Sequence, residues 1–281
     1  MLPLASLLEK LAYATIKDDP SDEPQQAFEL SLLDERLLAT PTVAVEQARQ
    51  VANMMAEFSF DACRKAMTLL DNFDQNIYDE VVELENRVDV LEDRMGTYLL
   101  ALGRESLSEA DTSEVALLLH SIGDLERVGD HALGLARTAE EIRDKEITFS
   151  TNAQQDIVTL RMAVSDIISV TVKSFTQHDR TLARHVEPLE QIVDVLRVKM
   201  KEGHIDRMQT GMCTQQTGFV YCDLITNCQR ISDHCSNLAV SLIRTEVDKL
   251  DAHEYLGSLK AGEDREFVDL YNQYKKKYNL D

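Results

Sequence analysis

Two segments of this chain occur twice, in the same order and about a hundred residues apart. ERVGDHALGLA at residues 126–136 returns as QRISDHCSNLA at residues 229–239. LENRVDVLEDRM at residues 84–95 returns as LEQIVDVLRVKM at residues 189–200, with Leu, Glu, Val, Asp, Val, Leu and Met in register. Two ordered coincidences point to a tandem repeat, and a repeat unit is one supersecondary motif used twice. The unit must therefore fit in about a hundred residues and contain both segments.

The apolar spacing is helical from Thr42 almost to residue 250. With only ten Gly, five Pro and no Trp in 281 residues, long stretches carry no breaker, which favours an all-α protein over a sandwich or an α/β fold. Capping chemistry places six helices. They run from about Val43 to Leu70, Asn76 to Leu102, Asp111 to Arg143, Ser150 to Gln177, Asp179 to Lys201, and Thr214 to Glu246. Gly203 is the expected stop of the fifth, and Pro188 predicts a kink inside it. Six helices in two repeats give a tandem pair of three-helix bundles, at 42–148 and 151–250. Residues 1–41 read as a connector and linker, with LLDERLLATP (32–41) extended. Residues 251–281 read as a helical tail whose Tyr255, Leu256, Leu259, Phe267, Leu270, Tyr271 and Tyr274 recur at helical intervals.

Acidic pairs sit on the repeats at E-x-x-x-D spacing: Glu85/Asp89, Glu126/Asp130 and Glu190/Asp194, with Asp233 beside Gln229 in the fourth place. Residues four apart share a helix face, where like charges cost about 0.2–0.5 kcal/mol. Leu119 and Leu133 project within roughly 20° of Glu126, so the acids border the apolar stripe. Two helices that bring two such pairs together would offer hard oxygen ligands to Mg²⁺, Ca²⁺, Mn²⁺ or iron. The competing reading pairs the acids with Arg87, Arg127, Arg230 or Arg137 as ordinary ion pairs. Gly123, Gly129 and Gly134 are positions where a neighbouring helix or ligand could come close. His131 and His234 point away from the acid face, toward packing or hydrogen bonding; His120 and Asp223 lie near the stripe.

Several functions are disfavoured. A formal charge of −21 repels nucleic-acid backbones and anionic lipid. Five cysteines with no two-residue spacing suggest reduced, buried thiols of a cytosolic protein, without a disulfide framework or zinc ribbon. No Glu-x-x-His pair, nucleophile elbow, P-loop or dinucleotide turn is present, which argues against catalysis. No stretch approaches 18 apolar residues, and the N-terminus lacks a signal-peptide pattern.

The repeated segments resemble the PhoU family, tandem three-helix bundles with E(D)-x-x-x-D motifs, over roughly residues 42–250. The flanks LLDERLLATPTVAVEQAR (32–49) and HEYLGSLKAGEDREFVDLYNQYKKKY (253–278) look like those of the cytoplasmic PhoU-like region of bacterial Na/Pi-cotransporter family proteins. The resemblance implies a regulatory module of a sodium-dependent phosphate transporter, cytoplasmic at the inner face of the cell membrane. Its partner would be a transporter region in the same polypeptide, with a homo-oligomer as a further expectation. It also implies metal on Glu85, Asp89, Glu126 and Asp130, and on Glu190, Asp194 and Asp233 in the second repeat, where Gln229 departs from the pattern. A free-standing PhoU-type regulator of a phosphate ABC transporter and its kinase is the alternative within the family. A carboxylate-bridged metalloenzyme is the alternative outside it.

Overall fold

The computed structural model describes residue 29, residues 31–244 and residues 265–280, and all regular structure among them is helical. A short 3-10 helix, Glu35–Ala39, precedes α1 (Pro41–Leu69), α2 (Gln75–Leu102) and α3 (Glu109–Asp144). Then follow α4 (Thr151–Thr176), the single turn α5 (Arg180–Ala183), α6 (Val186–Gln209), α7 (Gln215–Arg244) and α8 (Arg265–Lys277).

The caps follow the chemistry expected of helix starts, although α3 begins at Glu109 behind Ser108 and not at Asp111. Asp74 accepts from the Asn76 amide, Ser108 from Asp111 and Ser150 from Ala153. Each satisfies one of the amides a helix start leaves without an intrahelical acceptor. Pro41 occupies the first turn of α1, where its missing N–H costs nothing. The bundle formed by α1, α2 and α3 is matched by a second from α4, α6 and α7. Ala44, Ala48, Ala52 and Ala56 are fully buried along α1, and such small side chains let α3 lie close.

Four expectations change. LLDERLLATP is not extended: Asp34 caps a 3-10 turn by accepting from the Arg36 amide. The fifth helix is split. Pro188 falls in the first turn of α6, and its ring would meet the Arg184 carbonyl if α5 and α6 were continuous, so the chain breaks at Arg184 and His185 instead of kinking. Gly203 lies inside α6. The stop is Gly211, at φ +72°, where the Gly211 amide bonds Met208 O and the Met212 amide bonds Arg207 O. That pair of bonds is the Schellman arrangement. Fourthly, Gly123 has open space around it and brings no neighbour close.

The tail helix α8 packs on α6. Phe267 and Tyr278 are buried, the Tyr274 hydroxyl lies 3.2 Å from His185 Nδ1, and Tyr278 and Lys277 both bond Asp166. Tyr255, Leu256 and Leu259, like residues 1–28, lie outside the described residues.

The bundles meet along α3 and α7. Equivalent residues face each other there. His131 Nδ1 is 3.1 Å from Asn227 Oδ1, and His234 Nδ1 is 2.8 Å from Asp124 Oδ1. The two imidazoles stack at 5.7 Å between centroids. Asn237 donates to Asp124, while its counterpart Gly134 leaves room for Asn227: a Cβ on Gly134 would lie 2.5 Å from Asn227 Oδ1. Replacing Gly by Ala in a helix normally gains about 1 kcal/mol, but overpacking costs about 1–3 kcal/mol. Gly134→Ala is therefore expected to destabilise the protein in urea unfolding, and to become stabilising in an Asn227→Ala background. Equal effects in both backgrounds would contradict the close approach.

Candidate metal centre on the first bundle

The α2 and α3 acids stand on facing surfaces because Val81, Val88 and Leu91 on α2, and Leu125, Val128 and Ala132 on α3, turn into the same core. This packing carries Glu126 and Asp130 to the edge of the α2–α3 groove. Asp89, Glu126 and Asp130 each present a carboxylate oxygen within 4.8 Å of the others. Glu85 lies beside this group: its Cγ would be 3.9 Å from a Cβ at Gly129, and the charges of Asp89 and Asp130 act on it.

The electrostatics follow from crowding. Glu126 is pushed up to about 7, first by burial and then by Asp130, against the opposing pull of Arg127. Burial and neighbouring carboxylates also raise Glu85, Asp89 and Glu92. Arg127 supplies partial relief, 3.3 Å from Glu126 and 3.0 Å from Asp130, but its side chain is more than half exposed. Arg137, the expected neutraliser, acts only weakly, on Glu85. Arg87 is committed elsewhere, to buried Glu29 and the Phe58 ring. All-oxygen donors at this spacing fit a hard divalent cation, whose bonds to oxygen are about 2.0–2.6 Å. Such an ion would replace a proton on Glu126 and supply fixed positive charge.

The second repeat places Glu190 and Asp194 on α6 and Asp233 on α7. They form no comparable group of three among the described residues. Asp194 is 2.7 Å from Arg197, and Asp233 is 3.3 Å from Arg230. Burial raises Asp233, while Arg230 and His234 oppose that shift. Arg197 stands in the repeat position of Glu92, as Gln229 stands in that of Glu126. Glu92 and Arg197 were missed in the sequence reading. Both lie three residues beyond the motif Asp, on the same helix face, and that spacing was the available signal. His120 and Asp223 are exposed. Cys63, Cys228 and Cys235 are free and buried as expected, but Cys213 and Cys222 are half-buried.

The PhoU domain model matches residues 52–139 and again residues 157–242, well over half of the chain. The chain belongs to the PhoU domain family. A crystal structure of the phosphate transport system regulatory protein PhoU from Streptococcus pneumoniae superposes with a TM-score of 0.66 at 16% identity, covering 75% of this chain and 99% of that one. PhoU from Pseudomonas aeruginosa gives 0.66 at 18%, with the same coverage. These likenesses establish the tandem helical-bundle fold. Among curated sequences, the phosphate-specific transport system accessory protein PhoU homolog 1 of Thermotoga maritima is 22% identical over 53% of this chain and 62% of its own length. The putative inorganic phosphate export protein YjbB of Escherichia coli K12 is 21% identical over 91% of this chain and 47% of its own. The chain thus spans about half to three fifths of these relatives.

A group whose folded pKa is raised holds its proton in the folded state, and its contribution to stability is lost as pH rises through that value. With chelator present, stability is therefore expected to fall as pH rises from about 4.5 to about 7 because of Glu126, and to level off above that. Glu126→Gln, which copies Gln229, should flatten that slope in urea unfolding between about pH 4.5 and 7. An unchanged slope would remove Glu126 as its source.

Proposed function

We propose that this protein is a regulatory component of phosphate transport, with a divalent or iron-type cation held by Asp89, Glu126 and Asp130 and supported by Glu85. The observation that carries the reading is the conjunction of the family match across both repeats with the crowded acid group on the first. The repeat units are residues 42–148 and 151–250, with 1–41 as connector and 251–281 as an accessory tail. In the second unit Glu190, Asp194 and Asp233 are a weakened counterpart, in which the half-buried Arg197 closes on Asp194.

The function is one of binding and signalling, not turnover. Family membership supports that reading over a carboxylate-bridged metalloenzyme. Similarity to PhoU homologues, and the near-complete coverage of PhoU from Streptococcus pneumoniae, favour a free-standing regulator acting on a phosphate transporter over the fused Na/Pi-cotransporter region. Alignment of nearly the whole chain with less than half of YjbB supports the fused arrangement as a second reading. No described helix is long and apolar enough to cross a membrane. In the fused arrangement the transporter region would be encoded upstream in the same reading frame. In the free-standing arrangement it would be a separate partner.

Deleting the gene in its host should alter net phosphate flux, measured with radiolabelled phosphate. Wild-type protein should restore it, and Asp89→Asn/Asp130→Asn should not. Unchanged flux in the deletion strain would contradict the regulatory reading. Full rescue by the double variant would separate regulation from the cation.

A further inference from the structure

The second bundle contains a cavity of about 110 Å³ that no motif carboxylate lines. Two helix N-termini open on it. Ser150, the cap of α4, accepts from the Ala153 amide at 3.3 Å, and Thr214, preceding α7, accepts from the Thr217 amide at 3.1 Å. All four residues line the cavity. Helix starts carry amides without intrahelical acceptors and a partial positive charge, and so favour anions.

Helix starts alone are common; Arg207 adds a second, independent observation. It lines the same cavity, is only 8% exposed, and holds a buried Nη2 without a hydrogen-bond partner among the described residues. Its Nη1 reaches Asp156 at 3.6 Å, and Asp156 also accepts from the Tyr221 hydroxyl at 3.3 Å. The Tyr221 ring lies 5.2 Å from the guanidinium carbon and steadies it. A buried guanidinium N–H without an acceptor costs free energy that an incoming acceptor recovers. Neither Asp nor Glu lines the cavity, although the chain carries a net charge of −21. His204 and the hydroxyls of Ser150, Thr214 and Thr217 add polar lining.

We propose that this cavity binds a small tetrahedral oxyanion of the phosphate and sulfate class, received by Arg207 and the N-termini of α4 and α7. Its size suits an inorganic ion and excludes a nucleotide. The site stands on its own geometry and does not depend on the regulatory reading or on the carboxylate group.

Thermal unfolding in chelator tests it, with inorganic phosphate or sulfate compared against NaCl at matched ionic strength. A ligand of the folded state raises the melting temperature, in proportion to the logarithm of its concentration once that exceeds Kd. A rise with phosphate alone, or with both oxyanions, is the expected result for the wild type. Thr217→Glu puts a carboxylate over the cavity and completes a capping box with Thr214, which should preserve the fold. This variant should melt no lower than wild type without oxyanion and should lose the response. Arg207→Gln should lose the response too, and decides the matter if Thr217→Glu folds poorly. Asp89→Asn/Asp130→Asn should keep it. No rise beyond NaCl, a rise that survives the Thr217 and Arg207 changes, or one abolished by Asp89→Asn/Asp130→Asn would overturn the proposal.

Discussion

The close approach of α3 and α7 is the constraint on which the rest depends. Gly134 admits Asn227, and His131 and His234 stack across the seam with Asn227 and Asp124 as their respective partners. This seam uses one face of each helix. On α3, Glu126 lies five residues from His131, or about 140° around the helix. The acid face is thus turned away from the partner bundle and toward α2. One helix thereby joins the repeats and also furnishes half of a carboxylate group.

Duplication with divergence accounts for the inequality of the two acid faces. The first repeat keeps Glu92 and Glu126, and burial together with the neighbouring carboxylates drives Glu126 up to about 7. The second has Arg197 and Gln229 in those places, and Arg197 closes on Asp194. A salt bridge relieves like-charge repulsion permanently, whereas an unrelieved group can respond to protons or cations. Arg127 does not abolish this difference, because an exposed, flexible pair in high dielectric contributes little.

The helical architecture was legible because two strong local signals agreed: 3.6-residue apolar spacing and side chains that cap helix starts. Asp74, Ser150 and Asp179 all cap as their chemistry suggests. Pro188 was misread since its effect depends on where the helix begins, and a helix start two residues earlier, at Val186, removes the clash it would cause. Gly203 was misread for a similar reason: a helix tolerates an isolated glycine, and the left-handed φ belongs to Gly211. The 3-10 turn at Glu35–Ala39 depends on one Asp34 side-chain bond that periodicity cannot reveal.

The acid residues were visible as pairs, but their meeting was not. Spacing gives a face of one helix; the distance between Asp89 and Asp130 depends on how α2 and α3 pack. Arg207 was invisible for a related reason. A lone arginine near a helix end suggests solvent, and only the fold buries it beside two helix starts. Gly134 was singled out correctly, whereas Gly123 borders nothing, since the sequence does not say which helix face becomes the seam.

We propose that the first acid face binds a hard divalent cation and that the second does not. Calorimetric titration of chelator-stripped protein with Mn²⁺ tests this most directly. Saturable binding to wild type is expected, removed by Asp89→Asn/Asp130→Asn and largely kept by Asp194→Asn/Asp233→Asn. Wild-type protein that takes up no Mn²⁺, or binding lost equally in both double variants, would contradict it.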